Sequence, residues 1–304
     1  MNSDSTAVPL SDPEIEGYLE FAYRLGQLAG EAILPRFRAA LEVENKAGAG
    51  EYDAAITGDR AAKDAIGAEI RRAYGASQYD PVTIADRAAE DVIRSEIGRV
   101  YPDHAIYGEE RGRARGTSGL TWVIDPIDGT RAFILGQLHW GTLVALNDGQ
   151  RPVLGLMHQP FVGETFFGSR LGAFRRGRSG ELHPLRARSC PVLAAAAVCA
   201  SHPEQFARRE ERAAFDLVAS RARLMRYGGD CYNYCLLAAG LIDLVIESAL
   251  HAYDVQALIP IVEAAGGAMT GWQGQPCYDG GAVVAAGDRQ LHQHVLEVLA
   301  WAQR

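Results

Sequence analysis

Segments with helical spacing alternate with short apolar runs along most of this chain, and that alternation predicts an α/β protein with mixed sheets. Two observations carry the prediction. Runs rich in Val, Leu, Ile and aromatic residues, bounded by Gly, Pro, Asn and Asp, give way to stretches whose apolar positions recur every three or four residues. The turn Asn147-Asp148-Gly149 lies between two strand-like runs and signals an antiparallel hairpin beside the helix-strand alternation, which excludes a purely parallel sheet.

In chain order, Ile15, Leu19, Ala22, Leu25, Ala29 and Ile33 fall on one helical face and predict a helix over 15–37. Residues 52–74 recur at an offset of 27 as 79–101: Asp53 matches Asp80, the Asp59 to Ala62 block matches Asp86 to Ala89, and Glu69-Ile70 matches Glu96-Ile97. Two units are too few for a solenoid, which needs about three. The first copy therefore reads as an added helix, with Ala62, Ala65, Ile66 and Ile70 on one face. Strands are predicted at 122–124, 141–147, 152–159, 165–168, 198–201, 224–227, 241–246 and 282–286, and helices at 203–220, 230–239, 255–265 and 288–303. The organisation expected is a flexible N-terminus over 1–14, one lobe over 15–185 and a second over 186–304, divided in the Gly-, Arg- and Pro-rich stretch near 180–195.

The chemistry concentrates in Thr121 to Thr130, where a strand pattern runs into Asp125-Pro126-Ile127-Asp128-Gly129-Thr130. Two aspartates three residues apart offer the hard oxygens that Mg²⁺ prefers, and Pro126 stiffens the loop between them. Gly129 permits close approach of a ligand to the backbone, and Thr130 opens a helix whose unpaired N–H groups would face an anion. A strand-to-turn corner whose aspartates cap backbone amides is the alternative reading. Gly108-Glu109-Glu110 closes a second likely strand upstream. Asp254 follows the apolar run 241–246 and precedes a helical pattern, a third strand-end carboxylate.

The Gly-Glu-Glu, Asp-Pro-Ile-Asp-Gly-Thr and Tyr253-Asp254-Val255-Gln256-Ala257 segments, in this order and spacing, resemble the inositol monophosphatase family of Mg²⁺-dependent phosphomonoesterases from about residue 15 onward. Within it, 130–134, 140–143, Gln159-Pro160 and 227–232 are most similar to histidinol-phosphate phosphatases. The resemblance implies a layered αβαβα sugar-phosphatase fold and a homodimer. It implies two Mg²⁺ per site, one held by Glu109, Asp125 and the Ile127 carbonyl, the other by Asp125, Asp128 and Asp254. It makes Thr130, Asp86 and Glu109 catalytic, and places Gly129, Thr130 and Glu247 around the substrate; Asp230, where inositol phosphatases usually carry threonine, would join Glu247 at the cationic end of histidinol phosphate by charge complementarity, and Arg226 is a further candidate contact. Asp80 and Asp86 of the second repeat copy take the family positions, because that copy carries Pro-Val-Thr and directly precedes Gly-Glu-Glu. The lysine expected before the Asp80 segment is displaced: Gly75 stands there and Lys46 precedes the first copy, which puts a third metal site in doubt. Asp230 has a second reading, as a cap for the helix that follows; Arg226 has one as a surface ion-pair partner.

Composition is consistent with that reading. The chain has 304 residues, 48% apolar and 22% charged, enough for a substantial core. A formal charge of −8 argues against general nucleic-acid or membrane-surface binding. No apolar run approaches the roughly 20 residues that span a bilayer, and the polar first 13 residues lack a signal pattern, so a cytoplasmic protein is expected. The five cysteines read as reduced core residues, Cys231 and Cys235 sharing a helix face, and His292 and His294 as part of a surface helix. Three functions stay open: hydrolysis of L-histidinol phosphate, hydrolysis of inositol monophosphate or a related sugar phosphate, and a silent binding protein on the same fold.

Overall fold

The computed structural model describes residues 7–39, 43–45 and 81–302, with the backbone alone for 43–45, 81 and 82. The first repeat copy, 52–74, with Asp80, Lys46 and Gly75, lies outside the described residues.

The chain opens with α1 (Asp12–Ile33), started by Ser11, whose amide and hydroxyl both donate to Glu14 Oε2 at 2.7 and 2.6 Å. β1 (Val43–Asn45) pairs antiparallel with β2 (Pro81–Thr83), which leads into α2 (Ile84–Val100). An eight-stranded sheet follows, with spatial order β10-β9-β8-β7-β6-β5-β3-β4. Its members are β3 (Ala105–Gly108), β4 (Gly112–Ala114), β5 (Thr121–Asp128), β6 (Gly141–Asn147), β7 (Pro152–Gln159), β8 (Glu164–Ser169), β9 (Gly172–Arg176) and β10 (Leu182–Pro184). Only β3 and β5 run parallel in it. The short helix α3 (Thr130–Ile134) lies between β5 and β6.

The second sheet has order β12-β11-β13-β15-β14, from β11 (Ala197–Ala200), β12 (Leu224–Tyr227), β13 (Leu244–His251), β14 (Ala268–Gly271) and β15 (Gly280–Ala286). β12, β11 and β13 are parallel; β15 is antiparallel to both its neighbours, so both sheets are mixed. Helices α4 (Arg209–Arg221), α5 (Asp230–Ala238), α6 (Ala252–Val255), α7 (Leu258–Ala264) and α8 (Arg289–Ala302) complete the chain.

Three apolar clusters show how the layers stack. One joins Leu25, Ala29, Ile93 and Ile97 of α1 and α2 to Trp122, Ile124, Val144 and Leu156 on the outer face of the first sheet. A second lies between the sheets, where Val123, Leu143 and Met157 meet Cys235, Leu237, Ile261, Val245 and Ala285. The third joins Phe215, Val295 and Leu299 of α4 and α8 to Val198, Leu244 and Val284 behind the second sheet. The result is the expected αβαβα sandwich. β5 contributes to two of these clusters because its side chains alternate between faces; that is why Trp122 to Ile124 is apolar throughout.

Several elements differ from the sequence expectation. β5 does not stop at Asp125: it runs to Asp128 through a bulge, since Asp125 pairs with Leu143 and Asp128 with Gly141. Pro126 sits in the bulge, where a missing N–H costs no ladder bond, and its carbonyl accepts Thr142 Oγ1 at 2.8 Å. The strand expected at 241–246 begins at Leu244, because Asp243 leaves the ladder to accept the Ala197 amide at 2.7 Å and pair with Arg188. The helix expected at 203–220 begins at Arg209, and that at 255–265 is two pieces, α6 and α7. His292 is buried in α8 and bonded to Thr270 Oγ1 at 3.0 Å, so only His294 is on the surface. All five cysteines are free thiols, and Cys231 and Cys235 are buried together between the sheets. Among the described residues no helix is long and apolar enough to cross a membrane.

Candidate metal and phosphate site

The bulged end of β5, the loop after β3 and the ends of β11 and β13 open into one cleft of about 580 Å³. Glu109, Asp125, Ile127, Asp128, Gly129, Thr130, Asp230, Glu247 and Asp254 all line it. Segments far apart in sequence thus meet in this cleft.

The bulge aims Asp125 and Asp128 into the same space, and α6 delivers Asp254, whose carboxylate accepts the His251 amide at 2.6 Å. Oxygens of Asp125, Asp128 and Asp254 all lie within 4.8 Å of one another. Burial holds the Asp125 carboxyl well above the usual carboxylate range, with further lift from Glu109, Asp128 and Asp254. Asp254 is raised the same way, by burial and then Asp128. Asp128 is pushed up to about 8, chiefly by burial and then by Asp230, against the Cys231 amide that donates to its Oδ1 at 2.8 Å. Carboxylates crowded like this repel unless cations neutralise them. The donors are all hard oxygens, Glu109 and the Ile127 carbonyl included, and suit a divalent cation such as Mg²⁺. Arg131 is the one arginine or lysine among the described lining residues.

The loop is fixed locally. The Ile127 amide donates to Asp125 Oδ1 at 3.0 Å, and Thr130 Oγ1 donates to the Ile127 carbonyl at 2.9 Å. The same Thr130 oxygen is 3.5 Å from Asp86 Oδ1. Asp86 is buried at the start of α2, where Thr83 donates through its amide at 2.8 Å and its hydroxyl at 2.5 Å to Oδ2. Burial pushes its carboxyl up to about 6 against those bonds. Gly129 adopts a left-handed φ of 83°, and α3 begins directly after it.

The lining is acidic beyond these residues as well. Glu247 is buried and accepts the Ser201 amide at 2.8 Å, the Ser201 hydroxyl, and Tyr234 Oη at 2.9 Å. Burial raises its carboxyl to about 7. Asp230 takes a left-handed φ of 43° as the first residue of α5 and is raised to about 6 by burial. It is not the cap of that helix: Gly229 holds the cap position, and the Cys231 amide goes to Asp128 across the cleft. Arg226 does not reach the cleft. It is exposed on the edge strand β12 and is absent from the lining, because the Gly228-Gly229 turn separates it from Asp230.

Several residues carried no sequence signal. Ser201 and Tyr234 matter only because β11 and α5 bring them to Glu247. His202 and Glu204 line the cleft from the segment after β11, and His202 Nε2 lies 3.2 Å from Arg131 Nη1. A guanidinium only donates, so His202 Nε2 accepts.

A five-layer α/β/α/β/α chain with a carboxylate cluster at its strand ends is a metal-dependent phosphomonoesterase architecture. The chain belongs to the inositol monophosphatase family, whose profile matches residues 14–303. It is 41% identical, over 98% of its length and 80% of the relative's, to the chloroplastic bifunctional phosphatase IMPL2 of Arabidopsis thaliana. It is 34% identical to a histidinol-phosphatase of Streptomyces coelicolor, over 94% and 98% of the two chains. Among solved structures, an inositol monophosphatase from Zymomonas mobilis superposes with a TM-score of 0.75 at 35% identity, covering 96% of this chain and all of that one. The chain is accordingly a metal-dependent phosphomonoesterase acting on small phosphorylated substrates.

Proposed function

We propose that this enzyme hydrolyses L-histidinol phosphate to L-histidinol and phosphate with Mg²⁺. Glu109, Asp125 and the Ile127 carbonyl would hold one cation, and Asp125, Asp128 and Asp254 a second. When bound, the cations supply Lewis acidity that neutralises phosphoryl oxygens and lowers the pKa of water. The chain's own groups do the positioning. Thr130 Oγ1, between the Ile127 carbonyl and Asp86, would take a proton from the attacking water as its own hydroxyl proton passes to Asp86 Oδ1. The Gly129 and Thr130 amides are offered to the phosphate.

The observation that carries the substrate choice is that the cleft is acidic beyond Asp125, Asp128 and Asp254, with Asp230, Glu247 and Glu204 also in its lining. Histidinol bears an amine and an imidazole, so its organic end complements that lining in charge, as a neutral polyol does not. The histidinol-phosphatase relatives agree with this reading. Likeness to the Zymomonas mobilis inositol monophosphatase, at a similar identity, favours the second reading, inositol monophosphate. Family resemblance supports a homodimer, whose mass light scattering measures.

The test is Mg²⁺-dependent phosphate release from L-histidinol phosphate beside inositol 1-phosphate and fructose 1,6-bisphosphate, with EDTA and Asp128→Asn controls. Preference for histidinol phosphate, abolished by both controls, is expected. Preference for another ester would keep the mechanism and overturn the substrate.

A further inference from the structure

Glu90 lies in the middle of α2 and is fully buried, although nothing above uses it. A buried carboxylate needs donors, and three among the described residues show what Glu90 holds. The Glu110 amide donates to Oε2 at 2.7 Å, the Arg111 amide to Oε1 at 3.0 Å, and Arg94 Nε to Oε1 at 2.6 Å. Arg94 also donates to the Gly112 carbonyl. One side chain thus grips two consecutive amides directly after Glu109. On the other side, the Glu109 amide donates to the Ile124 carbonyl at 3.2 Å, next to Asp125. The segment is tied on both sides of Glu109, which lines the cleft. Gly108 makes the grip possible: a Cβ there would stand 2.2 Å from Glu90 Oε1.

The internal repeat sets this residue apart. At the offset of 27, Lys63 stands where the second copy has Glu90, although Asp59 to Ala62 match Asp86 to Ala89. An ammonium accepts no hydrogen bond from an amide, so the first copy lacks the group that holds this segment.

We propose that Glu90 is a positioning residue for the metal site: it touches neither cation nor substrate, and sets the place of Glu109 through the two amides that follow it. The proposal rests on the assignment of Glu109 as a metal ligand made above.

The test is titration calorimetry of Mg²⁺ into the full chain without substrate, for the wild type, Glu90→Gln, Glu109→Gln and Glu96→Gln, with amide hydrogen exchange over 109–112. Glu90→Gln puts an NH₂ group against an amide donor, and Mg²⁺ affinity should fall by about tenfold to hundredfold, as for other residues that support a ligand from behind. Exchange over 109–112 should quicken. Glu96 is on the same helix, paired with Arg24 and Arg99 away from the segment; its variant should lose stability and keep Mg²⁺ affinity. If Glu90→Gln does not fold, Glu90→Asp keeps the charge, draws it back by one methylene, and should show a smaller fall. Wild-type affinity in the Glu90 variants, with Glu109→Gln impaired, overturns the role of Glu90 alone. Equal losses in the Glu90 and Glu96 variants would overturn it too, as an effect of general destabilisation. Wild-type affinity in Glu109→Gln overturns the ligand assignment, and this proposal with it.

Discussion

Gly129→Ala should separate the site's geometry from its composition, because it removes no ligand and adds one methyl. Gly129 has a φ of 83°, a region that costs an alanine about 1–2 kcal/mol. The added Cβ would stand 2.5 Å from the His139 carbonyl oxygen and 3.2 Å from Trp140 Cα, where ordinary contact begins at 3.4 Å. Both neighbours are backbone, so relief requires the chain at 129 or at 139–140 to shift by most of an ångström. That shift moves Thr130 against Asp86, already 3.5 Å apart. Misplacement on the order of 1 Å costs about 10²-fold in rate, while stability should fall by only about 1–3 kcal/mol. The assay is kcat/KM for L-histidinol phosphate beside urea unfolding of the same preparation. A folded variant within threefold of wild-type activity, roughly 0.6 kcal/mol in transition-state stabilisation, would refute this account of the turn.

Three further outcomes are expected. Mg²⁺ at about 100 times its Kd should stabilise the wild type by about 2.7 kcal/mol; Asp128→Asn, which keeps an acceptor for the Cys231 amide, should lose most of that gain in thermal unfolding with and without metal. Glu247→Gln should reduce the preference for histidinol phosphate over a neutral-alcohol phosphate, read as the ratio of the two kcat/KM values; an unchanged ratio would remove Glu247 from substrate selection. His158, buried and bonded to Thr165 Oγ1 at 2.8 Å, has its pKa lowered from 6.5 to about 4 by burial. It is neutral in the fold and protonates more readily unfolded, so its contribution is intact above pH 6.5 and lost as pH falls toward 4, about 2 kcal/mol of it by pH 5. His158→Asn should flatten the loss of stability between pH 7 and pH 5 by about that amount in urea titrations.

Much of the scaffold was legible because local periodicity reflects burial. β6, β7 and β12 occupy the ranges their patterns predict, and α5 and α8 lie within a residue of theirs. Expectations failed where a side chain competes with the backbone or the chain departs from regular geometry. Asp243 draws the Ala197 amide and so delays β13; the extra residue in β5 carries the strand through the Asp-Pro-Ile-Asp motif instead of ending it. β9, β10 and β14 were missed, being short strands of three to five residues, which leave little period to read.

By itself the sequence determined which groups are on offer: which carboxylates stand at strand ends, in what order, and that the chain has the makings of a family phosphatase site. Those choices are local, since residue type and spacing fix what a short segment can offer. Only the tertiary structure decided what holds those groups in place. Glu90 grips the segment behind Glu109, Asp128 takes an amide 103 residues away, and Ser201 and Tyr234 orient Glu247. The physical reason is that a hydrogen bond between distant segments leaves no periodicity in either; it exists only once the sheets and helices have been packed.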